Sequence, residues 1–293
     1  MNAATITHML GGKWHRRYGT APCPVCQPEG HKGQDALTLS DGHDGRLLAH
    51  CKKFGCAFTD ILAAAGISAG DYCPPDPAEL ARCEAERQAE VAKKAGQAAR
   101  CWDEAQPIAG TVAETYLRGR GITCPLPDTL RFDPACWHGL TAKRHPGLVA
   151  LVEGGDSFAV HRTYLRPDGN GKAAIDPAKL MLGATSGGAI RFTQARGALV
   201  VAEGIETALS LASGLFSRPA KVWAALSTSG MKALNLPPDP GELVIASDGD
   251  QPGREAAHAL AERAHAAGWT VSLLPAPDGQ DWNDVLVAKE VSP

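Results

Sequence analysis

The stretch Leu199-Val200-Val201-Ala202-Glu203-Gly204 decides how the last third of this chain folds. Its four apolar residues indicate a buried strand, and an acid, a glycine and a helical pattern over residues 205–214 follow directly. Working outward, the pattern predicts strands at 198–202, 221–225, 242–247 and 269–274, and a second helix at 253–267. Strands that alternate with amphipathic helices favour a mostly parallel sheet. We therefore expect an α/β fold over residues 197–293.

Acidic side chains follow three of these predicted strands. Glu203 follows the first, Asp248 and Asp250 follow the strand at 242–247, and Asp281 comes after the last. Ligands of open α/β sheets bind at the carboxyl ends of the strands, and clustered carboxylates repel one another unless cations neutralise them. The pattern therefore predicts a site for Mg²⁺ or Mn²⁺, which prefer oxygen ligands. For any single acid the alternative is a helix cap, as Asp250 and Asp281 each stand before a predicted helix.

Two cysteine pairs near the N-terminus predict one structural zinc ion. The pairs have the form C-x2-C and C-x4-C and are separated by 24 residues. Segments 36–40 and 46–50 between them alternate like the strands of a hairpin, which is typical of a zinc ribbon. The expected ligands are Cys23, Cys26, Cys51 and Cys56. His31 and His50 are the rival ligands.

Composition indicates an ordinary globular protein. The chain has 293 residues, 44% of them hydrophobic, with a net charge of −3. No apolar run is long enough to cross a membrane, and no secretory signal opens the chain, so we expect it in the cytoplasm. Residues 118–196 hold eleven bases and six acids, whereas residues 197–293 hold six and twelve. A basic segment beside clustered carboxylates suits a protein that holds a polyanion.

The chain divides into four predicted parts. A proline-rich break at 73–77 precedes a helical pattern at 78–104, whose small and charged residues suggest a solvated connector. Farther along, a helix is expected at 111–120, strands at 148–153 and 159–165, and a helix at 282–288. The parts are a zinc-ribbon domain (1–72), a helical connector (73–105), a mixed α+β basic subdomain (106–196) and the α/β domain (197–293).

Basic residues near these features are candidates for binding nucleic acid or nucleotides. Bases interleaved with aromatic residues around the ribbon suit single-stranded nucleic acid, with a solvated basic loop as the alternative. These are Trp14, Arg16, Arg17, Lys52 and Lys53. Phosphate contacts are expected from Arg162, Lys172, Lys179 and Arg191, with Arg118 and Arg120 behind them, and from Arg254 at a helix start.

Three motifs in order carry a family resemblance. Val201–Ser210, Asp248–Ala257 and Asp281–Asp284 match V-x-E-G-I-E-x-A-L-S, D-x-D-x-x-G-R-E-A-A and D-W-N-D. This set resembles the Toprim domain of primases, topoisomerases and some nucleases, and most of all that of phage- and plasmid-type DNA primases. Upstream, Thr115–Ile122 looks like the Y-L-x-x-R-G-I segment that opens the catalytic core of bacterial primases, and the ribbon looks like their zinc-binding domain.

The resemblance implies a Rossmann-like parallel sheet and synthesis of RNA primers on single-stranded DNA from NTPs. It implies that Glu203 is the catalytic acid/base, that Asp248 and Asp250 hold Mg²⁺, and that Asp281 is a further ligand. Two positions depart from the pattern of replicative primases. Thr207 and Asn283 stand where those enzymes usually carry acids, and whether Glu206 substitutes for the first is open.

Two other functions stay possible from the sequence. The same carboxylates would serve a metal-dependent nuclease, and the two departures would suit a non-catalytic DNA-binding or loading module. A strand-passing topoisomerase is disfavoured because none of the four tyrosines has a suitable context. The sequence contains no G-x-x-x-x-G-K-[ST] motif, so we expect a replicative helicase to act as a separate partner or as part of a longer chain.

Overall fold

The structure, a computed structural model, describes residues 1–31, 33–42, 44–68 and 70–291. These residues form two compact units, Met1–Glu90 and Val91–Pro293. The boundary between the units falls inside the predicted connector at 73–105.

The first unit is a small antiparallel sheet with helices around it. Its elements are α1 (Ala3–Met9), β1 (Lys13–His15), β2 (Tyr18–Ala21), β3 (Leu37–Asp41), β4 (Leu47–Cys51) and α2 (Phe58–Ala64). The strands follow one another in the order β1-β2-β3-β4. Leu37 and Leu39 of β3 pack with Ile6 of α1 and Ile61 of α2 on the buried face. The β3–β4 hairpin confirms the predicted ribbon.

A long helix, α3 (Pro77–Glu104), occupies most of the predicted connector. Its alanine, glutamate and lysine content favours a helix, and its first half is largely exposed. Its last turns are not solvated, contrary to our expectation. Ala98 and Trp102 are buried with Val149 and Val160 of the second unit, because these two positions lie on one face of the helix, four residues apart.

The first part of the second unit is an antiparallel sheet with one helix. Its elements are β5 (Gln106–Pro107), α4 (Val112–Gly119), β6 (Leu130–His138), β7 (Lys143–Val152), β8 (Ala159–Tyr164) and β9 (Lys179–Leu182). They pair in the order β5-β6-β7-β8-β9. Strands β6 and β9 were not expected from the sequence. Proline and polar residues interrupt the alternation of β6, and β9 is a short edge strand.

The second part is the parallel sheet. Its elements are β10 (Ile190–Arg191), β11 (Ala198–Ala202), α5 (Ile205–Ser210), β12 (Ala220–Ala224), α6 (Thr228–Ala233), β13 (Glu242–Ala246), α7 (Gln251–Ala266), β14 (Thr270–Leu273) and α8 (Trp282–Val291). The strand order is β10-β12-β11-β13-β14, and only β10 runs antiparallel to its neighbour. The predicted strands and helices are confirmed, except that α5 passes at Leu211 into a π-helical segment whose Gly214 has φ 110°. Helix α6 was not expected.

One hydrophobic core joins the two sheets of the second unit. Leu117 of α4, Leu148 of β7 and Val200 of β11 belong to the same buried cluster. This shared core packs the basic subdomain against the parallel sheet. In the described part of the chain, no helix combines the length and apolar character needed to cross a membrane.

Candidate metal and phosphate sites

The four ribbon cysteines converge on one point, as expected for a zinc ion. The Sγ atoms of all four lie within 4.8 Å of one another, and those of Cys26 and Cys51 are 3.6 Å apart. Burial and the neighbouring thiols raise the pKa of Cys26 to about 12. Burial would also raise the pKa of Cys51, but the backbone N–H groups of Phe54, Cys56 and Lys53 outweigh it and lower this pKa to about 6. Four sulfur atoms this close together can coordinate one structural Zn²⁺ ion tetrahedrally.

Neither rival histidine belongs to this cluster. His50 is exposed on β4, and the His31 ring contacts the Glu29 carboxylate instead, at 2.5 Å. The cysteine ligand set predicted from the spacing is therefore the one that the described residues form.

The predicted carboxylates meet at the carboxyl edge of the parallel sheet. Glu203 directly follows the central strand β11, and Asp248 follows the neighbouring β13. Burial and the charges of Asp248 and Asp250 raise the pKa of Glu203 to about 7. Burial and the charges of Asp281 and Asp250 raise the pKa of Asp248 to about 6. The four acids therefore repel one another across this edge, which a bound cation would relieve.

A close backbone approach at Gly249 brings the last acidic loop to the site. Its N–H donates to the Gln280 carbonyl at 2.8 Å, and its own carbonyl accepts from Gly279 at 3.0 Å. A Cβ atom at Gly249 would lie 1.8 Å from the Pro277 carbonyl oxygen, so a side chain at this position would separate the two loops. Glycine at position 249 thus allows the loop that carries Asp281 to lie near Asp248.

Two of the acids also cap helices. Asp250 Oδ1 accepts from the Gly253 N–H at 2.8 Å at the start of α7, and Asp281 Oδ1 accepts from the N–H groups of Asn283 and Asp284 at the start of α8. Capping and cation binding are compatible because, among the described residues, each Oδ2 has no hydrogen bond.

The carboxylate set fits a hydrated divalent cation better than a closed cage. Across the described residues, no three of these acids bring their oxygens within 4.8 Å of one another. Mg²⁺ usually keeps several waters and takes only one or two carboxylates directly, so a spread set of acids suits it.

A buried ion-pair cluster lies beside the carboxylates. Glu206 is 5% exposed, and its carboxylate contacts Lys172 Nζ at 3.0 Å and Lys179 Nζ at 3.3 Å. The Tyr116 hydroxyl donates to the same carboxylate at 2.7 Å. Burial alone would raise the pKa of Glu206, but these partners outweigh it and hold the pKa well below its usual range. Glu206 therefore stays ionised and links the parallel sheet to the basic subdomain.

The two departures from the primase pattern have separate structural roles. The Thr207 hydroxyl donates to Asp248 Oδ1 at 3.4 Å, so it contacts a carboxylate and supplies no charge. Asn283 is buried, and its Nδ2 donates to the Arg120 carbonyl at 2.8 Å and to Ser210 Oγ at 2.9 Å. Because Glu206 faces the lysines, it does not replace the acid absent at position 207.

Among the predicted phosphate-binding residues, Lys172 shares the Glu206 carboxylate with Lys179 and lines a cavity with Arg120. The charge of Lys179 offsets a small part of the burial and like-charge effects that raise the pKa of Glu203 and of Asp248. Lys172 and Arg120 line a cavity of about 310 Å³ with Tyr116 and the glycine-rich turn. Lys172 therefore belongs both to the Glu206 ion pair and to this cavity.

Two other predicted arginines hold structural positions. Arg118 pairs with Glu114 and donates to the carbonyls of Ile122 and Cys124. Arg162 is buried and donates to the Trp137 carbonyl. Thr163 is the register partner of Lys179, and successive strand residues alternate, so Arg162 lies on the face of the antiparallel sheet opposite Lys179.

The remaining two arginines are occupied by other partners. The Arg191 guanidinium stacks over the Trp223 ring at 4.6 Å. Arg254 pairs with Asp278 and donates to the Gly249 carbonyl at 3.1 Å, so it braces the acidic loops.

The ribbon candidates lie in two places within the first unit. Trp14, Arg16 and Arg17 line a cavity of about 660 Å³ beside the first half of α3. Lys52 and Lys53 are exposed in the loop between the second pair of cysteines, where Lys53 lies over the ring of the exposed Phe54.

The sequence analysis did not single out Tyr116, whose hydroxyl contacts the Glu206 carboxylate. Tyr116 lies inside the Thr115–Ile122 segment, so that motif was the available signal.

Two domain families match separate parts of the chain. Residues 198–290 match the Toprim domain family, and residues 92–192 match a domain family of unknown function, DUF7146. No curated protein matches the chain.

The chain is similar to several solved structures of primases. A DNA primase domain from Pseudomonas aeruginosa is 20% identical over 67% of this chain and 75% of that one, with a TM-score of 0.40. The zinc-binding and RNA polymerase domains of the Aquifex aeolicus primase are 16% identical over 98% of this chain and 79% of that one, with a TM-score of 0.43. The primase fragment of the bacteriophage T7 primase-helicase is 14% identical over 93% of this chain and 98% of that one, with a TM-score of 0.36.

The family match and the geometry agree on the C-terminal part of the chain. The parallel sheet, with its central strand directly followed by Glu203 and its neighbour leading to Asp248, covers the matched residues. The Toprim part of the resemblance stated from the sequence motifs is thereby confirmed: residues 198–290 of this chain match the Toprim domain family.

Proposed function

We propose that this protein is a DNA primase that synthesises short RNA primers on single-stranded DNA by metal-dependent nucleotidyl transfer from NTPs. The observation that supports the proposal is that Glu203 and Asp248 follow the paired strands β11 and β13, and that hydrogen bonds of Gly249 join the Asp281 loop to them. Phosphoryl transfer requires positioning and charge neutralisation, and this edge offers oxygen ligands for a cation next to side chains for phosphate.

The acids divide the work between metal binding and proton transfer. Asp248 and Asp250 would hold Mg²⁺ or Mn²⁺, with Asp281 as a further ligand. The bound cation would supply charge neutralisation at the triphosphate. Glu203, whose pKa is about 7, is suited to accept a proton near neutral pH.

Each nucleotidyl transfer would form one phosphorus–oxygen bond and break another. The 3′-hydroxyl oxygen of the growing primer bonds to the α-phosphorus of the incoming NTP, and the bond from that phosphorus to the β-phosphate oxygen breaks. Pyrophosphate leaves, and the hydroxyl proton passes to Glu203. Lys172, Lys179 and Arg120 would bind phosphates of the nucleotide or the template.

The ribbon supplies the proposed contact with the template. Trp14, Arg16 and Arg17, and the exposed Lys52 and Lys53 on the second loop, combine charge with aromatic surface, which suits single-stranded DNA. A replicative helicase would act as a separate partner.

Primer synthesis by matched variants tests the proposal. Wild type and Glu203→Gln are each given single-stranded template, labelled NTPs and Mg²⁺ or Mn²⁺. We expect primers from wild type and at least about a hundredfold less from the variant. Equal product from both proteins, or none from wild type with either metal, would rule out the proposal.

The absence of acids at positions 207 and 283 favours one second candidate, a non-catalytic DNA-binding or loading module. Wild type that binds Mg²⁺ and single-stranded DNA without turnover would support this module. Labelled DNA incubated with Mg²⁺ and no NTP is the nuclease control, and cleavage that disappears in Glu203→Gln would indicate a nuclease instead.

A further inference from the structure

A second cluster with metal-binding side chains lies away from both sites described above. Cys101 belongs to the last turn of α3, and Asp133 and Cys136 belong to β6. Their ligand atoms, two sulfurs and a carboxylate oxygen, all lie within 4.8 Å of one another. The cluster occupies the face of the antiparallel sheet that α3 covers, opposite the face of Lys179.

The local backbone brings these three residues together. The pairing of β6 with β7 shifts between Asp133 and Cys136, and such a bulge turns side chains of one strand toward the same side. Opposite the bulge, Gly147 leaves room for Cys136, since a Cβ at position 147 would lie 2.8 Å from the Cys136 Cβ. The Asp133 carboxylate is held by the Ala135 N–H at 2.8 Å.

The surroundings of the cluster contain two nitrogen atoms with no partner. Arg162, 8% exposed, has a buried Nε without a hydrogen-bond partner among the described residues. His145 pairs with Cys136 in the register and therefore shares its side of the sheet. Within the same described ranges, its buried Nε2 also has no partner.

We propose that Cys101, Asp133 and Cys136 bind one Zn²⁺ ion, distinct from the ion of the ribbon. Two thiolates and a carboxylate are ligands that zinc takes. Zinc bonds of about 2.0–2.3 Å place ligand atoms about 3.3–3.8 Å apart, so shifts of about 1 Å would close the set. Water or His145 would complete the tetrahedron.

The charges of the site agree with a divalent cation. Two thiolates, one carboxylate and Zn²⁺ sum to −1, which the adjacent Arg162 guanidinium balances. The C-terminal end of a helix favours a nearby cation, and Cys101 lies in the last turn of α3. Cys136 is buried, whereas Cys101 and Asp133 are partly exposed, so an ion has a path to the site. A bound ion would fasten the end of α3 to the bulge of β6.

Zinc content of the full chain tests this site. Protein purified without strong chelators is measured by mass spectrometry of its metals. We expect about two zinc ions per wild-type chain and about one in Cys101→Ser and in Cys136→Ser. Cys83→Ser, in the same helix but outside both clusters, is the matched control and should keep about two. Cys51→Ser should lose the ribbon ion and keep the other.

A conservative variant guards against misfolding as an explanation. Asp133→Asn keeps an oxygen for the Ala135 N–H and removes the charge, and we expect it to release the second ion to a competing chelator at least about tenfold more readily. One zinc per wild-type chain, lost in Cys51→Ser and unchanged in Cys101→Ser, would overturn the proposal. A Cys101–Cys136 disulfide in wild type that holds one zinc would overturn it in favour of a redox pair.

Discussion

Replacing Glu206 by glutamine removes the charge that holds Lys172 and Lys179 while keeping an oxygen for the Tyr116 hydroxyl. The substitution leaves two ammonium groups close together with no compensating carboxylate. Removing one partner of a fully buried ion pair costs about 3–5 kcal/mol. The lysine side chains are 34% and 40% exposed, so water screens part of the loss. We therefore expect Glu206→Gln to lower the free energy of unfolding by about 2–4 kcal/mol.

The corresponding substitution Glu203→Gln should change the free energy of unfolding in the opposite direction. Burial and like charges raise the pKa of Glu203 from 4.5 to about 7, so its ionised form destabilises the metal-free protein. That difference corresponds to at most about 3 kcal/mol. Because the Glu203 side chain is only half-buried, we expect Glu203→Gln to stabilise the metal-free protein by about 1–2 kcal/mol at pH 8.

Urea unfolding at pH 8, with the ribbon zinc bound and no Mg²⁺ present, measures both changes. The two variants differ from wild type by the same atom exchange, so effects on the unfolded chain largely cancel. The reasoning is refuted if Glu206→Gln unfolds within about 0.5 kcal/mol of wild type, or if the two variants shift in the same direction.

Three further outcomes follow from the site. Without Mg²⁺, the melting temperature should fall as pH rises from about 4.5 to about 7, because Glu203 and Asp248 ionise at higher pH in the folded protein than in the unfolded chain. Added Mg²⁺ should raise the melting temperature more at pH 8 than at pH 5.5. An equal rise at both pH values would contradict this reasoning. Lys179→Met should raise the KM for NTP at least about tenfold in the primer assay, since its charge lies beside the acids, and an unchanged KM would remove this role. Arg118→Ala should cost about 1–3 kcal/mol in urea unfolding, because it loses Glu114 and two carbonyls, with KM unchanged; a KM effect at wild-type stability would restore it as a phosphate ligand.

The elements with strong local signals were predictable. Helix α3 and the strands and helices around β11 follow from periodicity, and α7 begins where Asp250 and Pro252 indicate a helix start. Strand β6 was missed because Pro134 and a bulge break its alternation. The end of α3 was expected in solvent because one buried tryptophan and one alanine do not form a continuous apolar stripe.

The candidate sites were predictable to different depths. The zinc cysteines and the strand-end acids have fixed spacing, so the sequence indicated them by number. The basic residues did not separate into binding and structural groups, because each side chain's partner comes from a distant segment: Arg162 reaches Trp137 and Arg191 reaches Trp223.

By itself, the sequence determined the alternation of strands and helices, the four zinc ligands and the order of acids along the chain, since these depend on spacing between near neighbours. Only the tertiary structure decided which charges meet. Glu206 and Lys179 are 27 residues apart in the chain and 3.3 Å apart in space, and that contact exists because a shared core packs the two sheets together. Packing over long sequence separations, and not local propensity, therefore selects the site that the acids and lysines form.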